Sequence, residues 1–141
     1  MTGRRPVLYV LEPNCDVAEF RRVLVESGLG ATRPIEDAAR LQRMLSAADL
    51  ILTARLDRPD TPLVGVARCV TDFAWCCYVA ELAVCASAQG LGVGRGLLDE
   101  IRRQLGPGVS VILASVPHAI GFYERMGMAR VPDAFWYRRE H

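Results

Sequence analysis

The sequence predicts a mixed α/β domain, and three observations predict it. Short apolar runs rich in Val, Ile and Leu alternate with longer stretches whose apolar residues recur every three to four positions. One run, residues 76–85, passes directly through a glycine-rich turn into an amphipathic segment. Hydrophobic residues make up 51% of the 141, ample for one core, so a single domain over residues 1–141 is expected.

Each element has a local reason. Residues 7–11 are a short apolar run and read as a strand. Asp16 can cap a helix running to Ser27, with Val17, Phe20, Val23 and Leu24 on one face and Gly28 as its stop. Residues 34–48 give a second helix, on which Ile35, Ala38, Leu41, Met44 and Leu45 share a face. Residues 50–56 read as a strand, followed by a turn-rich loop over 57–62. Two more strands, 63–70 and 76–85, are joined around Asp72-Phe73-Ala74-Trp75. A helix from Gly92 to about Leu105 carries Leu97, Leu98, Ile101 and Leu105 on one face and ends at Gly106-Pro107-Gly108. Residues 109–116 are rich in Val and Ile and read as a strand; 119–126 form a short helix closed by Gly127. Residues 129–131 and 135–137 are expected to pair as a hairpin about Pro132-Asp133. The order is β-α-α-β-β-β-α-β-α-β-β.

Composition excludes several function classes. The net charge is +1 with arginines dispersed along the chain, so no basic stripe argues for nucleic acid. No apolar run approaches the length of a membrane span. Arg4 and Arg5 precede an apolar stretch of only 7–11, too short for a secretory leader, so a cytosolic location is expected. Cys15, Cys69, Cys76, Cys77 and Cys85 lack metal-ligand spacing and read as buried, reduced thiols, with a catalytic thiol at Cys85 as the sharper alternative. Cys76 and Cys77 are adjacent on a strand and point to opposite faces. His118 and His141 are the only histidines, and no metal centre is expected.

The chemistry concentrates in the turn Ala88-Gln89-Gly90-Leu91-Gly92-Val93-Gly94. Glycines there let backbone approach a ligand, and the first amides of the following helix have no intrahelical partner. With the helix dipole, they form an anion site suited to phosphate or pyrophosphate. A dinucleotide fingerprint fails because Arg95 stands where its third glycine belongs, and a Walker loop fails because the chain has no lysine. What remains reads Q-x-x-G-x-G. It resembles the acetyl-CoA pyrophosphate loop of the GNAT superfamily of N-acetyltransferases, and Leu82-Ala83-Val84 resembles the family's L-x-V strand segment. Residues 119–128 are similar to the family's A-x-x-F-Y-x-x-x-G-F block, with Met128 for the last Phe and Val116 for an Asn three positions ahead of it.

The resemblance implies a mostly antiparallel sheet with splayed fourth and fifth strands and flanking helices. The splay is expected just beyond Val84. It implies acetyl-CoA as cosubstrate, held by Leu82, Ala83 and Val84 on the strand. Gln89, Gly90, Leu91, Gly92, Val93, Gly94 and Arg95 would hold it across the turn, and Phe122 from the short helix. It makes Tyr123 the acid that protonates the leaving thiolate, although Tyr123 also lies on an apolar packing face. Glu81 is the only ionised residue within 76–85, and an unpaired carboxylate there is costly. It is read as the base, with an ion pair to Arg68 as the alternative and Asp72 as a second base candidate. The acceptor, a small-molecule or protein amine, is expected near residues 28–34 and the last hairpin, where Phe73, Trp75, Trp136 and Tyr137 are available to meet a cation. A homodimer is compatible with the sequence. The reading is an N-acetyltransferase, and the alternative is an idle acetyl-CoA-binding module.

Overall fold

Alternating side chains along five apolar runs sort the chain into one sheet with helices on both faces. The computed structural model describes residues 6–141; positions 1–5, which carry the leader-segment argument, lie outside the described residues. The strands are β1 (Val7–Leu11), β2 (Leu50–Leu56), β3 (Leu63–Thr71), β4 (Cys76–Val84) and β5 (Ser110–Ile112), and they lie in sequence order across the sheet. All pairs are antiparallel except β4–β5, which is parallel. The helices are α1 (Val17–Ser27), α2 (Ala38–Ala47), α3 (Val93–Leu105) and α4 (Ile120–Arg125).

The helix ends follow their capping residues. Asp16 accepts the Glu19 amide at 3.0 Å to start α1, and Gly28, at φ +86°, ends it. The second helix begins later than its apolar spacing suggests. Asp37 captures the Arg40 amide at 3.0 Å and sets the start at Ala38, leaving 34–36 in a turn.

The core has two parts, one on each face of the sheet. Leu52, Ala67, Cys69 and Cys77 meet Val93, Leu97 and Ile101 of α3, with Phe122 and Tyr123 packed against them. On the other face Ile51, Leu63, Val66 and Ala83 meet Phe20, Val23 and Leu24 of α1 and Leu41 and Leu45 of α2. No described helix is long and apolar enough to cross a membrane.

Three sequence expectations change. The fifth strand stops at Ile112 rather than reaching Val116, because only Ser110, Val111 and Ile112 find partners, in Cys76, Cys77 and Tyr78. The splay therefore begins after Tyr78, well before Val84. The hairpin over 129–137 does not form: this stretch joins no ladder and is exposed, and Pro132 has no amide to give one. Cys76 is exposed, while the other four cysteines are buried and all five are free.

Candidate active site

The site begins with an irregularity in β4. Arg68 pairs with Glu81 and Cys69 with Val79, so Ala80 is an extra residue without a partner in β3. This bulge shifts the side-chain phase by one. Cys77 and Val79 face the α3 layer before it, and Leu82 and Val84 face that layer after it, while Ala83 joins the α1–α2 layer. Bulges bend a strand and re-aim its side chains. Here the bulge coincides with the loss of pairing to β5, so β4 from Val79 onward has a ladder on one side only.

The backbone groups on the open side follow from one hydrogen bond. The Cys85 amide donates to the Val64 carbonyl at 2.8 Å, toward β3. In a ladder alternate residues turn the same way, so Ala83 also faces β3 while Leu82 and Val84 present their amides and carbonyls to the opening. The Gln89 amide group donates to the Val84 carbonyl at 3.3 Å from that side. Of the three strand residues expected at the cofactor, Leu82 and Val84 border the opening and Ala83 is buried behind it.

The glycine turn closes the end of this opening. Gly92, at φ +77°, is the N-cap of α3 and provides no side-chain cap. The first helical bond runs from the Gly96 amide to the Gly92 carbonyl at 2.9 Å, so the amides of Val93, Gly94 and Arg95 point out of the helix end without intrahelical acceptors. Val93 is buried beneath the turn, and Gly90, Leu91, Gly92 and Arg95 are exposed on it. Gly94 lies under the Phe122 ring: a Cβ at Gly94 would stand 2.9 Å from its Cζ. That contact brings α4 onto the first turn of α3. Phe122 in turn meets Tyr123 edge to face, with centroids 5.0 Å apart. Tyr123 is half-buried, and burial raises its phenol above the ordinary 10.0. Its hydroxyl has no hydrogen-bond partner among the described residues.

Glu81 is 3% exposed and shares the α1–α2 face of β4 with Ala83, in a clamp of two guanidinium groups. Arg68 Nε donates to Oε1, and Arg68 Nη2 donates to Oε2 at 3.2 Å. Arg33 Nε donates to Oε2 at 2.8 Å, and Arg33 Nη2 donates to the Ala80 carbonyl at 2.7 Å. The ion pair to Arg68, the alternative reading of Glu81, is therefore made. Arg33 was not legible as a site residue. Its partner is 48 positions away, and the only local signal is a basic residue in the connection between the first two helices.

The remaining candidates lie elsewhere. Asp72 accepts the amides of Ala74, Trp75 and Cys76 at 2.8–3.1 Å, which hold its carboxyl below the usual carboxylate range. It caps the β3–β4 turn at the closed end of β4, where Cys76 pairs with Ser110. That position corrects its expected placement at the cleft mouth. Phe73 and Trp75 share that turn, and Trp75 is 77% exposed. Cys85 is buried on the α1–α2 side, where burial and the Glu26 carboxylate raise its thiol, so it does not face the opening.

Similarity to known proteins decides what this arrangement belongs to. A sequence profile of the acetyltransferase (GNAT) domain matches residues 48–127. The chain belongs to the GNAT superfamily. Its acyl-CoA-dependent acetyltransferase relatives include serotonin N-acetyltransferase 2, chloroplastic, of Oryza sativa subsp. japonica, 31% identical over 84% of this chain and 59% of that protein. The N-acetyltransferase ycf52 of Pyropia yezoensis is 24% identical over 94% of this chain and 87% of that protein. A GNAT-family acetyltransferase from Streptococcus pneumoniae TIGR4 superimposes with a TM-score of 0.74 at 22% identity, covering 96% of this chain and all of that one. The aminoglycoside N-acetyltransferase AAC(6')-Iy, solved in complex with CoA, gives 0.71 at 14% identity with both chains fully covered. These likenesses match the fold: a five-stranded sheet, antiparallel but for β4–β5, with helices on both faces. The rice protein is named chloroplastic, which differs from the cytosolic location the sequence suggests.

Proposed function

We propose that this GNAT protein transfers an acetyl group from acetyl-CoA to a primary amine by direct attack. The observation that carries the proposal is the junction of an unpaired β4 edge with a helix end whose amides are free. Main-chain groups of Leu82 and Val84 suit an extended pantetheine arm, which would bind as an added strand. The amides of the Gln89–Arg95 turn suit pyrophosphate. The residues fit acetyl-CoA: Gly92 leaves the turn bare, and Phe122 covers the helix end beside it. Acetyl-CoA supplies a thioester carbonyl open to attack and a thiolate leaving group.

The chain's own residues divide the remaining work. Tyr123 holds the proton for the departing sulfur. Its desolvated phenol stays protonated through neutral pH and has no competing partner among the described residues. Glu81 is read as a positioning residue rather than the base. Two guanidinium groups occupy both of its oxygens, which ties the side chain into a structural clamp. Arg33 extends the clamp to the Ala80 carbonyl, tying the connection after α1 to the bulge where the strands part. The amine's proton then leaves to solvent at the opening.

The acceptor is tested with a panel of primary amines and acetyl-CoA, following free thiol release. Serotonin belongs on that panel because of the rice relative. Turnover with at least one amine supports the transferase reading. Tight CoA binding without turnover on any amine would point instead to an idle acetyl-CoA-binding module.

A further inference from the structure

The first turn of α3, Val93 to Gly96, carries the free amides of the glycine turn, and three elements press on it where side chains are missing. Phe122 of α4 lies over Gly94. The other two contacts come from the sheet. Beneath the turn is Gly65 of β3, where a Cβ would stand 2.8 Å from Val93 Cγ1 and 3.3 Å from both Ala54 Cβ and Leu97 Cδ1. Beside the turn is Tyr9 of β1. A Cβ at Gly96 would overlap the phenol oxygen and Cζ of Tyr9 and stand 2.7 Å from its Cε1.

Neither glycine is there for its backbone, since neither has a positive φ. Gly65 sits inside a strand and Gly96 inside a helix, where glycine is less favourable than alanine. What both provide is room, and the room sets where α3 begins. Gly65 pairs with Ala54 of β2 and Val84 of β4, so β3 is held on both sides and cannot recede. Val93 is 1% exposed, and a β-branched side chain in a helix has essentially one rotamer. A methyl group at position 65 would therefore lift the helix end itself, by roughly 0.7 Å to regain an ordinary carbon contact of about 3.5 Å. Amide hydrogen bonds span only about 2.7–3.2 Å, so a shift of that size spoils the Val93, Gly94 and Arg95 amides together. Tyr9 limits the same turn from the β1 side. It packs against the core layer under α3. Burial, and then the Asp99 carboxylate one turn along that helix, raise its phenol.

We propose that Gly65 and Tyr9 are positioning residues for acetyl-CoA, acting through Val93 and Gly96 rather than by touching the ligand. Gly65 joins both halves of the opening, Val84 through the ladder and Val93 through packing. It thereby sets the distance from the β4 edge to the helix amides that a single ligand has to span. Tyr9 keeps the turn from sliding toward β1. The proposal rests on the acetyl-CoA reading of the opening.

Size-swap pairs test it by calorimetric titration with CoA beside urea unfolding. Gly65→Ala should weaken CoA by about tenfold, and adding Val93→Ala, which removes the crowded methyls, should recover most of that loss. Gly96→Ala should also weaken CoA, even though alanine favours a helix, and adding Tyr9→Leu should restore it by vacating the space. Tyr9 and Gly96 are only half-buried, so this pair gives a result even if the Gly65→Ala chain does not fold. Recovery in the double variants is coupling that independent sites do not show. A wild type without affinity for CoA would overturn the acetyl-CoA reading and the positioning with it. A wild type that binds CoA, with Gly65→Ala and Gly96→Ala binding it equally well at an altered urea midpoint, would overturn the positioning alone and leave two packing contacts. Weakening in both single variants without recovery in either double would overturn it as well.

Discussion

Tyr123, Gly94 and Gly92 make separable predictions about chemistry and binding. Tyr123→Phe keeps the ring that packs on Phe122, so folding and CoA affinity should persist. Turnover should fall by about 10²-fold or more if the phenol protonates the leaving sulfur. The wild-type rate should have an alkaline limb displaced above pH 10.0, since burial raises the phenol, and the variant should lose that limb. A variant with wild-type turnover and the same limb would make Tyr123 a packing residue. At Gly94 the constraint is steric, because a Cβ would stand 2.9 Å from Phe122. At Gly92 it is conformational, since φ +77° leaves the space open but costs a side chain about 1–2 kcal/mol. Gly94→Ala should therefore displace Phe122 and weaken CoA by about tenfold or more, equivalent to roughly 1.4 kcal/mol. Gly92→Ala should act chiefly on stability, with a smaller loss of affinity. Calorimetric titration with CoA beside thermal unfolding separates the two, and equal CoA affinity in both variants and wild type would remove the phosphate-site assignment.

At the scale of elements, the clamp on Glu81 joins three pieces of secondary structure: β3 through Arg68, the connection after α1 through Arg33, and the β4 bulge through Ala80. Removing one member of a buried ion cluster leaves charge without a counter-charge, which costs about 3–5 kcal/mol. Glu81→Ala should lower the unfolding free energy by that amount, read as a lower urea midpoint at unchanged slope. Glu81→Gln discriminates the two roles of this side chain. A general base would take the acid limb of the rate profile with it, whereas a positioning residue would leave that limb in place and lower stability. Arg33→Ala should raise KM for the acceptor more than it lowers kcat, because the guanidinium fixes the loop rather than reaching the opening. A pure kcat effect at unchanged KM would contradict that assignment.

For the whole molecule, the buried acids set the pH range of stability. Burial first, then the Glu12 and Glu19 carboxylates, push the Cys15 thiol from 9.0 up to about 11. The folded chain thus keeps a proton that the unfolded chain releases. That stability is complete below pH 9.0 and is lost as the pH rises toward 11. Tyr9 and Tyr123, both raised by burial, extend the loss beyond their ordinary 10.0. On the acid side, Arg55 holds the Glu12 carboxyl low, so its contribution disappears as the pH falls below the usual carboxylate range. Urea midpoints should decline on the alkaline side, and Cys15→Ala should flatten the first part of that decline. An unchanged alkaline slope in Cys15→Ala would show that the thiol does not contribute.

The sequence by itself determined whatever depends on neighbours within a few positions. Asp16 and Gly28 bounded α1, Gly92 set the start of α3, and the glycine turn after an apolar strand pointed to an anion site. Capping and left-handed turns are local physics, and two motifs in order were enough to point to the superfamily. The tertiary structure decided what depends on pairing partners. Whether β5 reaches Val116, and whether 129–137 forms a hairpin, turns on which edges are available; propensity alone predicts strands in both places. The Ala80 bulge has no sequence signature, yet it puts Leu82 and Val84 at the opening and sends Ala83 to the opposite layer. Glu81 shows the difference most clearly. A lone carboxylate in an apolar strand announces that it has a partner, but the two guanidinium groups that take its oxygens come from 13 and 48 positions away, and only the folded chain brings them together.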